Sequence, residues 1–331
     1  MLGYKLRKLY SPEIFQGHNK KINYFEGWYF KVVDRKSDNI YAVIPGISIS
    51  KVKSNSHAFI QIMDGKNATS KNFKFDFSDF IYSTEKFEIR IRNNFFSSKN
   101  ISINIDQNSN IIKANLNFSD LTFWPKTFIS PGAMGWYSFV PFMECYHSVI
   151  SMDHKIEGHA NFDGKDINFS EGRGYIEKDW GVSFPQGWIW LQSNHFDKGS
   201  TSVMLSIAKI PWRGKHFTGF ICGLLHNKKF YIFATYNGSI IRSLKYSDSN
   251  VYAIIENKSY EIKIEAKKKT SATLLSPILG AMDGRISESI DAIINVRLKK
   301  KLKGNNRKEL LFDGTGHYGG LEIINPEVLL F

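Results

Sequence analysis

Cysteine is almost absent: Cys145 and Cys222 are the only two in 331 residues. No disulfide framework can therefore hold the fold, which must rest on its own core. Proline is scarce, with 9 residues, and no Pro-rich or Ser-rich stretch marks a linker. No run of about 18 apolar residues occurs, so no helical membrane span is expected. The longest uncharged window, 127–143, is broken by Pro131, Gly132, Gly135 and Pro141. The opening MLGYKLRKLYSPEIF carries charge with no apolar stretch behind it and does not read as a signal peptide. These absences together lead to the expectation of a cytoplasmic protein.

Signature motifs are missing too. There is no G-x-S-x-G elbow and no P-loop. Residues 314–319 fit G-x-G-x-x-G, but a dinucleotide site needs a following helix, and only twelve residues remain, Pro326 among them. A glycine-rich turn between closing strands is expected there instead. Cys145 and His147 would share a strand face, with His154 and His159 downstream, so zinc is sterically permitted. No ligand pattern is repeated, however, and a buried Cys with a structural His is the better reading, so no metal is expected. The net charge of +13 is dispersed, with short clusters only at Lys267–Lys269 and Lys299–Lys303, where hairpin loops are expected. No nucleic-acid motif accompanies the charge, so nucleic acid is not an expected partner. Peripheral contact with a membrane surface is retained as a partner class.

What the chain has in quantity is apolar and aromatic residues, 42% and 15%, and period-two alternation. Phe73, Phe75 and Phe77 alternate with Lys74 and Asp76; Phe87, Ile89 and Ile91 with Glu88, Arg90 and Arg92; Ile101, Ile103 and Ile105 with Ser102 and Asn104. Such segments bury one face and wet the other, as antiparallel strands do. Turn signals at Asp64-Gly65, Asp163-Gly164, Asn237-Gly238 and Asp313-Gly314 are expected to separate them. The second half continues in the same style from Trp188 to Lys299. The expected fold is mostly β, with two domains of antiparallel strands, each a lipocalin-like barrel or a sandwich. No sequence repeat relates the halves. The boundary is placed at Gly181, giving an N-terminal β domain, 1–180, and a C-terminal lipocalin-like β-barrel domain, 181–331.

Three segments set aromatics beside charge. The first is FEGWYFK, with Glu26, Trp28 and Phe30 on one strand face. The second runs from SPGAMGWY, containing Trp136, to PFMECYH, containing Glu144, Tyr146 and His147. The third is GYIEKDWG, with Glu177, Asp179 and Trp180, followed by the strand of Trp188, Trp190, Gln192 and Asn194. Aromatics followed by neutral amides on one face suit an apolar pocket with a few orienting groups, or equally a core strand whose amides bond to loop backbone. Glu177 and Asp179 share a face, and close like charges raise one carboxyl pKa, yielding a candidate acid. A structural ion-pair network is an equal alternative for them.

These segments, with DGRISESIDA and LFDGTGHYGGLEI near the end, resemble the tocopherol cyclase family from about Gly17 to Ile324. More distantly the layout is similar to carotenoid hydratases and lipocalin-like Diels–Alderases. The resemblance implies two lipocalin-like domains, a hydrophobic small-molecule partner (prenylated quinol, terpenoid or lipid) and no cofactor. It implies an intramolecular cyclase: an acid protonates an alkene, a tertiary cation develops, and a phenol oxygen captures it. From residue chemistry, Asp179 is the first choice for the acid, with Glu144, Glu26 and His147 as alternates. Trp28, Trp136, Tyr146, Glu177, Trp180, Trp188 and Trp190 would form the binding surface, and Gln192 and Asn194 would orient hydroxyls. The competing expectation is a binder of a hydrophobic molecule without chemistry.

Overall fold

The computed structural model describes residues 2–212, 214–302 and 307–329. Two compact units are present: unit 1 is residues 1–184 with 273–285, and unit 2 is 185–272 with 286–331.

Unit 1 begins with helix α1 (Leu2–Tyr10) and is otherwise built of strands. In chain order these are β1 (Tyr24–Val33), β2 (Ile40–Ile49), β3 (His57–Asp64), β4 (Thr69–Asp76), β5 (Phe80–Tyr82) and β6 (Glu88–Ile91). Next come β7 (Asn94–Ser97), β8 (Asn100–Gln107), β9 (Asn110–Ser119), β10 (Cys145–Phe162), β11 (Lys165–Asn168) and β12 (Gly172–Gly181). They form one antiparallel sheet in the order β4-β3-β2-β1-β12-β10-β9-β8-β7-β6-β5, with β11 against β10. The alternation read in the sequence is the burial pattern of β9, where Ile112, Ala114, Leu116 and Phe118 are buried and their neighbours exposed. Phe73 of β4 and Phe80 of β5, from opposite ends of the strand order, lie in one apolar cluster with Phe30, Ile103 and Ile176. The sheet therefore curls around a single core.

Unit 2 contains β13 (Trp188–Ser193), β14 (His195–Phe196), β15 (Thr201–Trp212), β16 (Lys215–His226), β17 (Lys229–Ala234), β18 (Ile240–Tyr246), β19 (Asn250–Glu256) and β20 (Tyr260–Lys267). β21 (Ala272–Ile278), apart from Ala272, and the first five residues of β22 (Ala281–Lys301) belong to unit 1, whereas the rest of β22 and β23 (Lys308–Ile324) belong to unit 2. The order is β17-β16-β15-β13-β23-β22-β20-β19-β18, again antiparallel. Ile189, Leu191, Leu205, Phe233, Ile264 and Val296 belong to its core.

The two sheets share a topology that no sequence repeat announced. Each is a meander whose first strand pairs with its last, β1 with β12 and β13 with β23. Each has its two end strands consecutive in sequence: only residues 77–79 separate β4 from β5, and only a short segment with a turn at 235–237 separates β17 from β18. Neither pair of ends is hydrogen-bonded among the described residues, so the barrel expected for the C-terminal domain is open.

Two local expectations are corrected. Asp313-Gly314 and the glycines after it lie inside β23 and make no turn. Their role is lateral: a Cβ on Gly314, Gly316 or Gly320 would lie within 3 Å of the rings of Phe312, Phe196 and Trp190 respectively. The missing side chains thus give the rings backbone to pack against. The basic cluster from Lys299 sits at the end of β22 through Lys301, paired with β23, not in a loop; Lys303 lies outside the described residues.

Candidate functional site

Strand β12 runs between β1 and β10 in unit 1, and register decides which side chains meet. Glu26 and Tyr146 pair with Trp180, and Trp28 and Ser148 with Lys178, so these project from one face. Gly27 and His147 pair with Asp179, and Tyr29 and Val149 with Glu177, so these project from the other. The sequence candidates therefore divide between two sides of one sheet.

On the core side Glu26 and Lys178 are both fully buried, 2.5 Å apart. The Glu26 carboxylate also accepts from Gln16 N at 2.8 Å, Gly17 N at 3.0 Å and the Tyr24 hydroxyl. Lys178 Nζ donates to Pro12 O at 2.7 Å and Ile14 O at 2.6 Å. Trp28 and Trp180 shield this cation, their ring centroids 4.8 and 4.7 Å from Nζ. Burial lowers the Lys178 pKa to about 8, against the raising pull of Glu26. Trp28 stacks on Phe87, and its Nε1 donates to Glu13 O; Tyr146 stacks on Trp180 at 5.4 Å. The group is a closed knot that fastens residues 12–17 to the sheet.

The opposite face holds the titratable cluster. His147 Nδ1 lies 3.0 Å from Asp179 Oδ1, and His147 Nε2 lies 3.8 Å from Glu177 Oε2. Tyr175 donates its hydroxyl to Glu177 Oε2 at 2.6 Å. Burial, then the Glu177 charge, push the Tyr175 pKa well above its usual value, so it acts as a fixed donor. Glu177 is buried, whereas Asp179 keeps about a quarter of its side chain exposed. Gly27 leaves the position beside Asp179 on β1 without a side chain. Burial raises the Glu144 carboxyl pKa. Burial, followed by the Asp179 and Glu144 charges, raises the Cys145 thiol far above its ordinary value; it is an un-ionised thiol and no nucleophile. Gly181 (φ +153°) admits Glu144 at this corner, since a Cβ there would lie 2.2 Å from Glu144 O. Glu144 O also accepts from Val182 N at 2.8 Å.

His147, Glu177 and Asp179 each present one donor atom, all within 4.8 Å of one another, so the three could hold a divalent ion. They could equally act as a proton-transfer group, since an imidazole between two carboxylates can take up and return a proton. The companions of His147 are these carboxylates; His154 is fully buried elsewhere on β10, against Ser151 Oγ and the Phe118 ring. Tyr175 was not among the sequence candidates; its signal was the i, i+2, i+4 row Tyr175, Glu177, Asp179. Trp136 is 44% exposed in the loop before β10, stacked on Tyr137.

The remaining candidates belong to unit 2. Trp188, Trp190 and Gln192 project from the face of β13 opposite its core residues Ile189 and Leu191. Trp188 Nε1 donates to Glu322 at 2.5 Å, and Trp190 lies over Gly320. Gln192 is 0% exposed, and no protein group among the described residues bonds to either amide atom. Asn194, also buried, is 3.1 Å from His195 Nδ1.

A family model described as tocopherol cyclase-like matches residues 98–324. The chain belongs to the tocopherol cyclase-like family. A probable chloroplastic tocopherol cyclase of Oryza sativa subsp. japonica is 26% identical over 198 residues, 57% of this chain and 41% of that protein. The chloroplastic tocopherol cyclase of Zea mays is 26% identical over 201 residues, with the same coverage. The matches thus span about two fifths of the length of these relatives. Among solved structures, CghA with Sch210972 is similar at TM-score 0.55 and 8% identity, over 91% of this chain and 88% of that one. Kievitone hydratase from Nectria haematococca is similar at TM-score 0.50 and 10% identity, over 94% and 93%. At such identities the likeness concerns fold alone. The plant relatives correct one expectation: both are chloroplastic. The absence of an apparent leader is therefore no basis for a cytoplasmic assignment within this family.

Proposed function

We propose that this chain catalyses the acid-promoted, intramolecular cyclisation of a prenylated hydroquinone or a related prenylated phenol. The observation that carries the reading is the contact of His147 with Asp179 at 3.0 Å, backed by Glu177 and Tyr175. One oxygen of the partly exposed Asp179 is engaged by His147, and the other is available to a substrate. The pair delivers a proton to an alkene carbon: a C–H bond forms at the expense of the π pair, leaving a tertiary cation. The phenol oxygen attacks that cation and forms the C–O bond. The phenolic proton leaves to the His147–Asp179 pair and restores it. Substrate and product are isomers, and no oxidant or co-reactant is consumed. Glu177, fixed by Tyr175, holds negative charge beside the imidazole, so the protonated pair is stabilised between turnovers.

A second reading, a binder of a hydrophobic molecule without chemistry, is favoured by Gln192: a buried amide without a partner among the described residues is suited to a ligand's polar group. Incubation of the protein with a prenylated hydroquinone separates the readings. An isomeric chromanol supports the cyclase. Retention of the unchanged quinol supports the binder. A product heavier by one water would instead indicate a hydratase.

A further inference from the structure

Residues 120–144, the loop between β9 and β10, contain the uncharged window 127–143 noted in the sequence, with Lys126 immediately before it and Glu144 immediately after it. Among the described residues, six of the eighteen exposed large apolar side chains fall within 123–142: Phe123, Phe128, Ile129, Trp136, Phe139 and Phe142. Soluble surfaces scatter such residues singly, and concentration in one patch marks an interaction site. The display is also built. Phe128 and Ile129, 81% and 72% exposed, sit at the tip of a tight turn closed by reciprocal backbone bonds between Thr127 and Ser130. Phe142 is 97% exposed and has φ +63°, a left-handed conformation that a bulky residue adopts only at a cost. Neither exposure nor strain stabilises the free protein. Tyr10 of α1 contacts Phe128 and Phe139 by ring packing at 6.1 and 6.4 Å and bonds to Phe128 O, so the patch is continuous with the helix. The last turn of that helix carries Arg7 and Lys8, and Leu6 is exposed at 54%. Lys126, bonded to Tyr10 O and paired with Glu13 at 3.0 Å, lies at the same edge, where a lipid phosphate would compete with that carboxylate.

We propose that this surface docks on an anionic lipid bilayer, with Phe128, Ile129, Trp136 and Phe142 entering the headgroup–acyl boundary and Arg7, Lys8 and Lys126 facing lipid phosphates. Charge decides between a bilayer and a second copy of the chain. Two molecules of net charge +13 repel when like faces meet, whereas an anionic surface attracts them. The loop is also clamped to the titratable strand: His147 N donates to Met134 Sδ at 3.2 Å, and the Tyr146 hydroxyl donates to Val140 O at 2.8 Å. The docking surface and the His147 cluster are thus parts of one unit, a layout suited to a substrate that resides in lipid. The inference stands on the surface alone, whatever reaction the cluster performs.

The test is co-sedimentation of the full chain with vesicles of phosphatidylcholine and phosphatidylglycerol in equal parts, and with phosphatidylcholine alone. The unaltered protein is expected to bind the mixed vesicles and to be weakened by salt. Phe128→Ser with Phe142→Asn, which suits the left-handed position, should lower the partition coefficient by roughly tenfold or more, from the apolar area each ring would bury. Circular dichroism and the urea midpoint of the variant should match the parent, since both rings are exposed. No binding to mixed vesicles, or equal binding by the variant, overturns the proposal. A concentration-dependent dimer that the double substitution abolishes would also overturn it and assign the patch to a second copy.

Discussion

Lys178→Met should destabilise unit 1 severely although Lys178 touches no solvent. The change removes the cation paired with Glu26, leaving a fully buried carboxylate with its donors from Gln16, Gly17 and Tyr24. It also strips the donor from Pro12 O and Ile14 O. Breaking a buried pair by removing one partner typically costs about 3–5 kcal/mol. Glu26→Gln removes the other half and should cost a similar amount, because the ammonium is then buried between Trp28 and Trp180 with only carbonyls to bond. The double variant should be less destabilised than the sum of the singles by on the order of 1–3 kcal/mol, the coupling of groups in contact. Equilibrium urea unfolding followed by circular dichroism measures all three. A Lys178→Met protein within about 1 kcal/mol of the parent would refute the reasoning, since surface substitutions lie within about half that. A Glu26→Gln protein of full stability but no activity would return Glu26 to the role of acid.

His154 is fully buried and its pKa is lowered to about 3, chiefly by burial, so the unfolded chain takes up a proton near 6.5 that the folded chain refuses. Stability should fall as pH drops from 6.5 toward 3, by about 2 kcal/mol between pH 7 and pH 5 from this group. His154→Gln should lack that share of the loss in urea titrations at the two pH values, and an identical loss in parent and variant would contradict the assignment. Gln192→Met should raise the urea midpoint, since an unpartnered buried amide costs about 1–3 kcal/mol, while weakening retention of a quinol. A lowered midpoint would mean that the amide is already satisfied.

The fold was legible because its strands carry their orientation in the alternation. Phe73, Phe75 and the Ile101–Ile105 row are buried as the period-two pattern requires. The glycines of β23 misled because a glycine next to Asp reads as a turn, whereas here the absent side chains admit Phe312, Phe196 and Trp190 from neighbouring positions. Such lateral packing is a tertiary property, invisible along the chain. The missing sequence repeat hid the shared topology of the two sheets, because strand order depends on alternation and turns more than on residue identity. At the candidate site, Asp179, Glu177 and His147 were singled out from motif chemistry, and β10/β12 pairing brings them together. Glu26 and Trp28 could not be separated from them without register. Gly27 opposite Asp179 sends Glu26 to the other face, so one residue of offset distinguishes a buried ion pair from the titratable cluster.

The central claim is that the His147–Asp179 pair delivers a proton to carbon. Turnover of a prenylated hydroquinone in deuterium oxide tests it most directly, with the parent and Asp179→Asn compared by mass spectrometry of the product. The pair exchanges with solvent, so the parent should yield an isomeric chromanol carrying one carbon-bound deuterium. Asp179→Asn, folded and still retaining the quinol, should be slower by about 10²–10⁴-fold, the usual loss of a general acid. A folded Asp179→Asn protein that forms the deuterated product at the parental rate would contradict the account.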